Sequence, residues 1–328
     1  MNNPICFDLE GPLCLRDNAY DLMKMIPSGD VIFEVISRYD DLLTMEGREG
    51  YEPGDTLALI LPFLVLHNIS EADIAGAAEK AALTQGACEL VSSLKSGGWD
   101  VFCITTTYEQ YAVPITQKLG IAHDNVACTR LNMSEIRASL CEVATALLEE
   151  IERDIISMPP DDAVIKRRLD KFFQRQLPAT ECGRAISQVK PVGGRRKVKA
   201  LRDFSHRTKK PFSSWVVVGD SITDFRMLKE VDMTGGLSVA FNANQYALPY
   251  ATMSLASLDI TDLSPVLTAF AEGGRKAAEE AVLRQNRTGL DEDRGNLHWL
   301  SGRSERCDII ELHRRLRRKV REEAGRLG

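Results

Sequence analysis

Paired cysteines are missing from this sequence. It holds eight cysteines, but no two form a CxxC pair, and the ligand spacings of a structural zinc site do not occur. Several instead sit in apolar, strand-like runs such as "PICFDL" and "DVFCITT", where cysteine acts as a small hydrophobe. No zinc site is expected, and a reduced, cytoplasmic compartment fits best. Long hydrophobic runs are also scarce. The most apolar one, "LALILPFLVL" from Leu57 to Leu66, contains Pro62 and falls well short of the ~20 residues that span a bilayer. It reads as a buried helix, and no membrane partner is expected. Residues 1–5 carry no basic segment and lead straight into a strand, so no secretory signal is expected either. Positive charge is not in excess. The net charge is −6, which gives no general argument for a nucleic-acid partner.

What is present is the composition of an ordinary soluble protein, with 44% hydrophobic and 27% charged residues. A chain of 328 residues has room for one large domain with additions, or for two domains. Residues 4–9 read as a buried strand, and residues 17–97 are mostly helical in pattern. A second strand, "DVFCITT", is followed by the helix "EQYAVPITQKLG" and a short strand at "NVACTRL". Residues 134–177 are again helical. "KPVGGRRKVKALRDF" reads as a glycine turn opening a basic helix, and "SSWVVVGD" and "GGLSVAFNA" are further strands. Strands alternating with helices imply a parallel α/β sheet. Two long helical excursions interrupt it, and neither shows a repeat. Residues 273–328 are rich in charge. Their run "HRRLRRKVREE" alternates into Glu322 and Glu323 and reads as a solvated helix face.

Ligands in open parallel α/β sheets bind at the carboxyl ends of the strands, so the residues following each strand are read together. "CFDLEGPL" places Asp8 and Glu10 after the first strand. Thr105, Thr106 and Thr107 follow the second. Lys197 opens the basic helix, and Asp220, Ser221 and Asp224 follow "WVVVG". Several carboxylates in one crevice repel each other and raise each other's pKa. A hard divalent cation relieves that strain, and Mg²⁺ prefers oxygen ligands and keeps waters that a phosphate can replace. A hydroxyl and a lysine are suitable donors to phosphate oxygens. An Asp facing such a group is a candidate nucleophile. Each feature also has a plainer reading: Asp8 and Glu10 as solvated strand-end acids, Thr105 as a β-former, Lys197 as a surface lysine, and Asp224 as an acid favouring a helix dipole.

The order "FDLEG", "ITTT", basic helix, "VVVGDSITD" resembles the haloacid dehalogenase-like phosphohydrolase superfamily. "GGLSVAFNANQYALPYA" is similar to the strand and turn that follow this motif in phosphoserine-phosphatase-like members. The chain also resembles an archaeal group of such proteins named as subunits of an energy-converting hydrogenase. The superfamily resemblance covers roughly residues 4–16, 98–133 and 186–270. It implies a doubly wound parallel sheet with a helical cap inserted after the first strand and a second helical insert. The expected division is 1–16, 91–133 and 186–272 for the core, 17–90 for the cap, 134–185 for the second insert, and 273–328 for a charged, mostly helical extension.

Carried over residue by residue, the resemblance makes Asp8 the nucleophile that forms an aspartyl-phosphate and Glu10 the general acid and base. Thr105 and Lys197 would bind the phosphate. Asp8, the backbone carbonyl of Glu10, and Asp220 would hold Mg²⁺, with Asp224 in support. Lys197 fits the "KxxAL" helix start best; Arg195, Lys190 and Lys199 are the other candidates. Ser221 and Asn242 are secondary candidates. The sequence departs from the family pattern at Glu10, where Asp is usual, and at Pro12, where Thr is common. The implied activity is Mg²⁺-dependent hydrolysis of a small phosphorylated metabolite. A phosphotransferase with the same intermediate and a non-catalytic scaffold subunit are the alternatives. Protein partners would dock on the helical inserts.

Overall fold

The computed structural model describes residues 3–285, 295–302 and 307–321. Parts of the charged extension, including Glu322 and Glu323, lie outside the described residues. The strands are β1 (Pro4–Phe7), β2 (Asp100–Tyr108), β3 (Val126–Thr129), β4 (Val216–Gly219), β5 (Leu237–Phe241), β6 (Met253–Ala256) and β7 (Asn296–Trp299). They form one sheet in the order β3-β2-β1-β4-β5-β6-β7. Every pairing is parallel except that of β6 with β7.

β1, β4, β5 and β6 are buried along their whole length, as a sheet covered on both faces requires. Successive side chains point to opposite faces, so each strand feeds two cores. Ile5, Phe7, Val216 and Val218 face one core, while Cys6, Phe102, Val217 and Trp215 face the other. This is the doubly wound α/β sheet the sequence predicts.

Between β1 and β2 lie α1 (Asn18–Met23), α2 (Gly29–Met45), α3 (Thr56–Leu66), α4 (Glu71–Glu79) and α5 (Ala87–Ser96). α3 is apolar on all sides and is buried from Leu59 to Val65, Pro62 included, which is where such a helix must lie. α4 starts at a capping box in which Ser70 and Asp73 satisfy each other's backbone N–H groups. No single described helix is long and apolar enough to cross a membrane. The pair α3 and α4 reaches that length and composition together but bends by 115°.

After α6 (Glu109–Lys118) and β3 come α7 (Met133–Ala138), α8 (Glu142–Ile156), α9 (Asp162–Lys171) and α10 (Glu181–Ile186). α8 and α9 pack on α2, and α8 also on α3. Among the described residues, three ion pairs tie α9 to the α2 region: Arg38 to Asp162 at 2.5 Å, Arg48 to Asp170 at 2.9 Å, and Lys166 to Glu46 at 3.0 Å. α11 (Arg195–Thr208) leads into β4, α12 (Phe225–Met233) follows it, and α13 (Ser264–Gln285) and α14 (Cys307–Arg321) complete the chain.

The C-terminal stretch differs from its reading in two respects. Asn296–Trp299 is a strand, with Leu297 and Trp299 buried and paired antiparallel to β6. The basic run beginning at His313 is not simply a solvated face. His313, Leu316 and Arg317 are buried because α14 docks over the ends of β4 and β5.

Candidate active site

β1 is the pivot of the sheet. The chain leaves it towards β2 on one side and comes back at β4 on the other, which opens a crevice beyond their carboxyl ends. Asp8 stands just past β1, its N–H bonded to the Val218 carbonyl at 2.8 Å. Asp220 stands just past β4. Both carboxylates are buried. Gly11 makes this closeness possible. Its φ is +95°, and a Cβ there would lie 2.5 Å from Asp220 Cγ.

Lys197, on the first turn of α11, is fully buried between two acids. Its Nζ lies 2.9 Å from Asp8 Oδ2 and donates to Asp224 Oδ1 at 2.7 Å. The other oxygen of Asp224 accepts the N–H groups of Asp220 (3.0 Å) and Ser221 (3.1 Å). Asp224 therefore shapes the turn that carries Asp220 while anchoring the lysine. Of the four basic candidates, Lys197 alone meets Asp8. Lys199 is exposed beside Asp203, Lys190 is exposed, and the Arg195 side chain is mostly exposed beside Glu52.

Burial, reinforced by Asp224, pushes the Asp8 carboxyl well above its usual pKa, and Lys197 pulls the other way. Burial alone would lower the lysine's pKa. Asp224 and Asp8 reverse that and hold the ammonium above its ordinary value.

Glu10 sits at the mouth of the crevice, where its Oε1 accepts the backbone N–H of Asn18 at 2.5 Å. Thr105 is fully buried, and its Oγ1 accepts the N–H of Thr107 at 3.2 Å. Thr106 is the threonine of this run that lines the cavity. Ser221 also lines it, whereas the Asn242 amide is engaged by both backbone groups of Ser257.

The cavity over these acids has a volume of about 140 Å³. Its opposite wall comes from the helices after β1 and includes Asp17, Phe33, Ser37, Asp40, Asp41 and Thr56. No motif marks those residues, because they line the cavity only by helix packing. Burial raises the Asp40 carboxyl to about 7, although Tyr51 and Thr56 donate to it. From the C-terminal side, Arg317 on α14 enters the same cavity, and its guanidinium donates to Asp220 Oδ2.

The residues present fit a divalent cation. Asp8, Asp220 and Asp224 each bring a carboxylate oxygen within 4.8 Å of the others. The donors are all hard oxygens, as Mg²⁺ prefers. Asp224 is engaged by Lys197 and two N–H groups, so Asp8 and Asp220 are the carboxylates that would hold such an ion.

This architecture is that of the haloacid dehalogenase-like fold, as phosphoserine phosphatases display it. A substrate-bound phosphoserine phosphatase superposes with a TM-score of 0.53 at 16% identity, covering 80% of this chain and 97% of that one. A phospho-aspartyl intermediate analogue of phosphoserine phosphatase gives 0.52 at 18% identity over the same shares. At such identities the likeness shows the fold alone. A structure of gene product AF1437 from Archaeoglobus fulgidus matches at a TM-score of 0.88 and 29% identity, over 100% of this chain and 99% of that one. No family model and no curated protein matches the sequence. These likenesses leave the resemblance to hydrogenase subunits untested.

Proposed function

We propose that the protein is a Mg²⁺-dependent phosphatase that hydrolyses a small phosphomonoester through an aspartyl-phosphate on Asp8. The observation that carries this reading is the buried Asp8–Lys197–Asp224 chain beside Asp220, at the switch point of the sheet. Structural carboxylates are seldom gathered this way in a protein interior, since unpaired buried charge is costly.

Asp8 is the nucleophile. One of its carboxylate oxygens attacks phosphorus, and the bond from phosphorus to the ester oxygen breaks. Glu10 gives its proton to the departing alkoxide. It then takes a proton from a water molecule, whose oxygen attacks phosphorus and releases Asp8 as the carboxylate. Lys197 holds Asp8 in place and offers charge to the phosphoryl oxygens, with Thr105 and Thr106, near the end of β2, as the further donors. Mg²⁺ would be held by Asp8, Asp220 and the Glu10 carbonyl, and would supply positive charge favouring the Asp8 carboxylate and neutralising the phosphate. The helical layer carrying Asp40 and Thr56 serves as the cap that excludes water and reads the leaving group.

The test uses nitrophenyl phosphate with Mg²⁺ or with excess chelator. Activity is expected only with the metal. Glu10→Gln should release a burst of nitrophenol equal to the enzyme concentration and then turn over slowly, because nitrophenolate departs without a proton. With an alkyl phosphate the same variant should barely react, and Asp8→Asn should give no burst. Turnover of alkyl phosphates by Glu10→Gln at the parent rate would show Glu10 to be a bystander.

A further inference from the structure

α14 brings a cation of the chain's own to the acid cluster. The Arg317 side chain is 6% exposed and donates to Asp220 Oδ2, and its Nη1 also lies 3.4 Å from the Asp220 carbonyl. One turn earlier, His313 Nδ1 accepts the N–H of Ala243 at 2.9 Å, and the next loop residue, Asn244, donates its N–H to the Asp220 carbonyl at 2.8 Å. The helix is thus registered on the loop that frames Asp220. Its apolar anchorage is small. Leu316 is buried, while Ile309 and Ile310 are partly buried. The helix therefore rests on Leu316, the two partly buried isoleucines, the His313–Ala243 hydrogen bond and the Arg317–Asp220 pair together.

Charge makes this arrangement exclusive. Asp8, Asp220 and Asp224 are three carboxylates, and Lys197 is one cation between them. Glu10, Asp17, Asp40 and Asp41 line the cavity as well, so it is direct contact on Asp220, and not total charge, that sets Arg317 against an ion. A divalent ion on Asp220 would stand directly against the Arg317 guanidinium on the same buried carboxylate, and two like charges in contact there repel. Building on the metal reading given above, we propose that α14 is an autoinhibitory latch. Arg317 occupies the cation position at Asp220, and metal enters only when the helix lifts away. The docked chain is then a resting form, and whatever draws α14 off, metal at sufficient concentration included, switches the site on.

The experiment titrates the full chain with Mn²⁺ and follows the free ion by electron paramagnetic resonance, comparing the parent with Arg317→Met, which keeps the apolar stem, and with Asp220→Asn. In parallel, hydrogen exchange over residues 307–321 of the parent is followed during a Mg²⁺ titration. Arg317→Met should bind Mn²⁺ at least about tenfold more tightly than the parent. Exchange in α14 should rise as the parent takes up Mg²⁺, a result that does not depend on the variant folding. Equal or weaker Mn²⁺ binding by a folded Arg317→Met, or an α14 that stays protected in the metal-bound parent, overturns the latch and leaves the metal site standing. Binding by neither parent nor Arg317→Met, or binding that Asp220→Asn leaves unchanged, overturns the metal reading and the latch with it.

Discussion

The carboxylate of Glu52, in the loop between α2 and α3, accepts the backbone N–H of Arg195 at 3.0 Å, at the first residue of the helix that carries Lys197. The same carboxylate pairs with the Arg195 side chain at 2.8 Å, and the neighbouring Asp55 pairs with Arg196. A charged acceptor at a helix N-terminus is favourable, and this one is buried. The loop therefore clamps the helical layer to the turn that positions the lysine. Glu52→Ala should cost about 1.5–3 kcal/mol, as expected for a hydrogen bond to a charged group. Hydrogen exchange at residues 193–197 should rise together with the lost denaturant stability. Unchanged exchange there would assign the turn's order to packing alone.

Lys197 compensates two buried acids at once. Lys197→Met leaves both without their cation, and breaking a buried pair by removing one partner costs about 3–5 kcal/mol. Adding Asp224→Asn should restore part of that loss, since it removes one of the stranded charges. Urea unfolding of the parent, the single variants and the double variant measures the coupling. Simple additivity of the two changes would contradict the shared-lysine geometry.

Asp40 is raised to about 7 by burial. Folding therefore favours its protonated form, and the protein loses stability as pH rises from near 4 to 7. Asp40→Asn should leave stability unchanged near pH 4 and raise it at pH 8. The gain should be on the order of 1–2 kcal/mol, because solvent screens this half-buried group. Thermal melts at the two pH values decide it; equal gains at both would mean that titration is not the cause.

His313 shows the opposite sign. Burial, with His298 beside it, lowers its pKa to about 3. It is neutral when folded and takes up a proton on unfolding once the pH falls below about 6.5. Its contribution to stability is complete above that pH and declines as pH falls towards 3, by about 1.4 kcal/mol for each unit. His313→Asn keeps an acceptor for the Ala243 N–H and does not titrate. Melts between pH 7.5 and 5.5 should show a shallower decline for the variant than for the parent.

Five strands of the parallel sheet were legible because they are short, mostly apolar runs, with acids following β1 and β4; β6, Met253–Ala256, was not read from the sequence. Asp8, Asp220, Asp224 and Lys197 follow those strand ends or open a glycine turn, so sequence order alone brings them together. β7 was not legible, since "NLHW" is four residues of weak alternation within a charged stretch. Arg317 was missed for a related reason. In a basic helix one more arginine looks solvated, and the only signal was that Ile309, His313, Leu316 and Val320 recur at helical spacing and mark a face. The helical wall of the cavity has no linear signal, because its residues meet across α1, α2 and α3.

The central position of β1 also governs the order in which the molecule can be assembled. Ile5 pairs with Val216, across nearly two-thirds of the chain. Contacts so distant in sequence carry a high entropic cost of closure and slow folding. During synthesis β1 can pair with β2 once the intervening helices have emerged, but its other edge stays bare until β4 leaves the ribosome. Half of the crevice therefore exists long before the strand that brings Asp220, and the acids meet only when the sheet closes around its first-made strand.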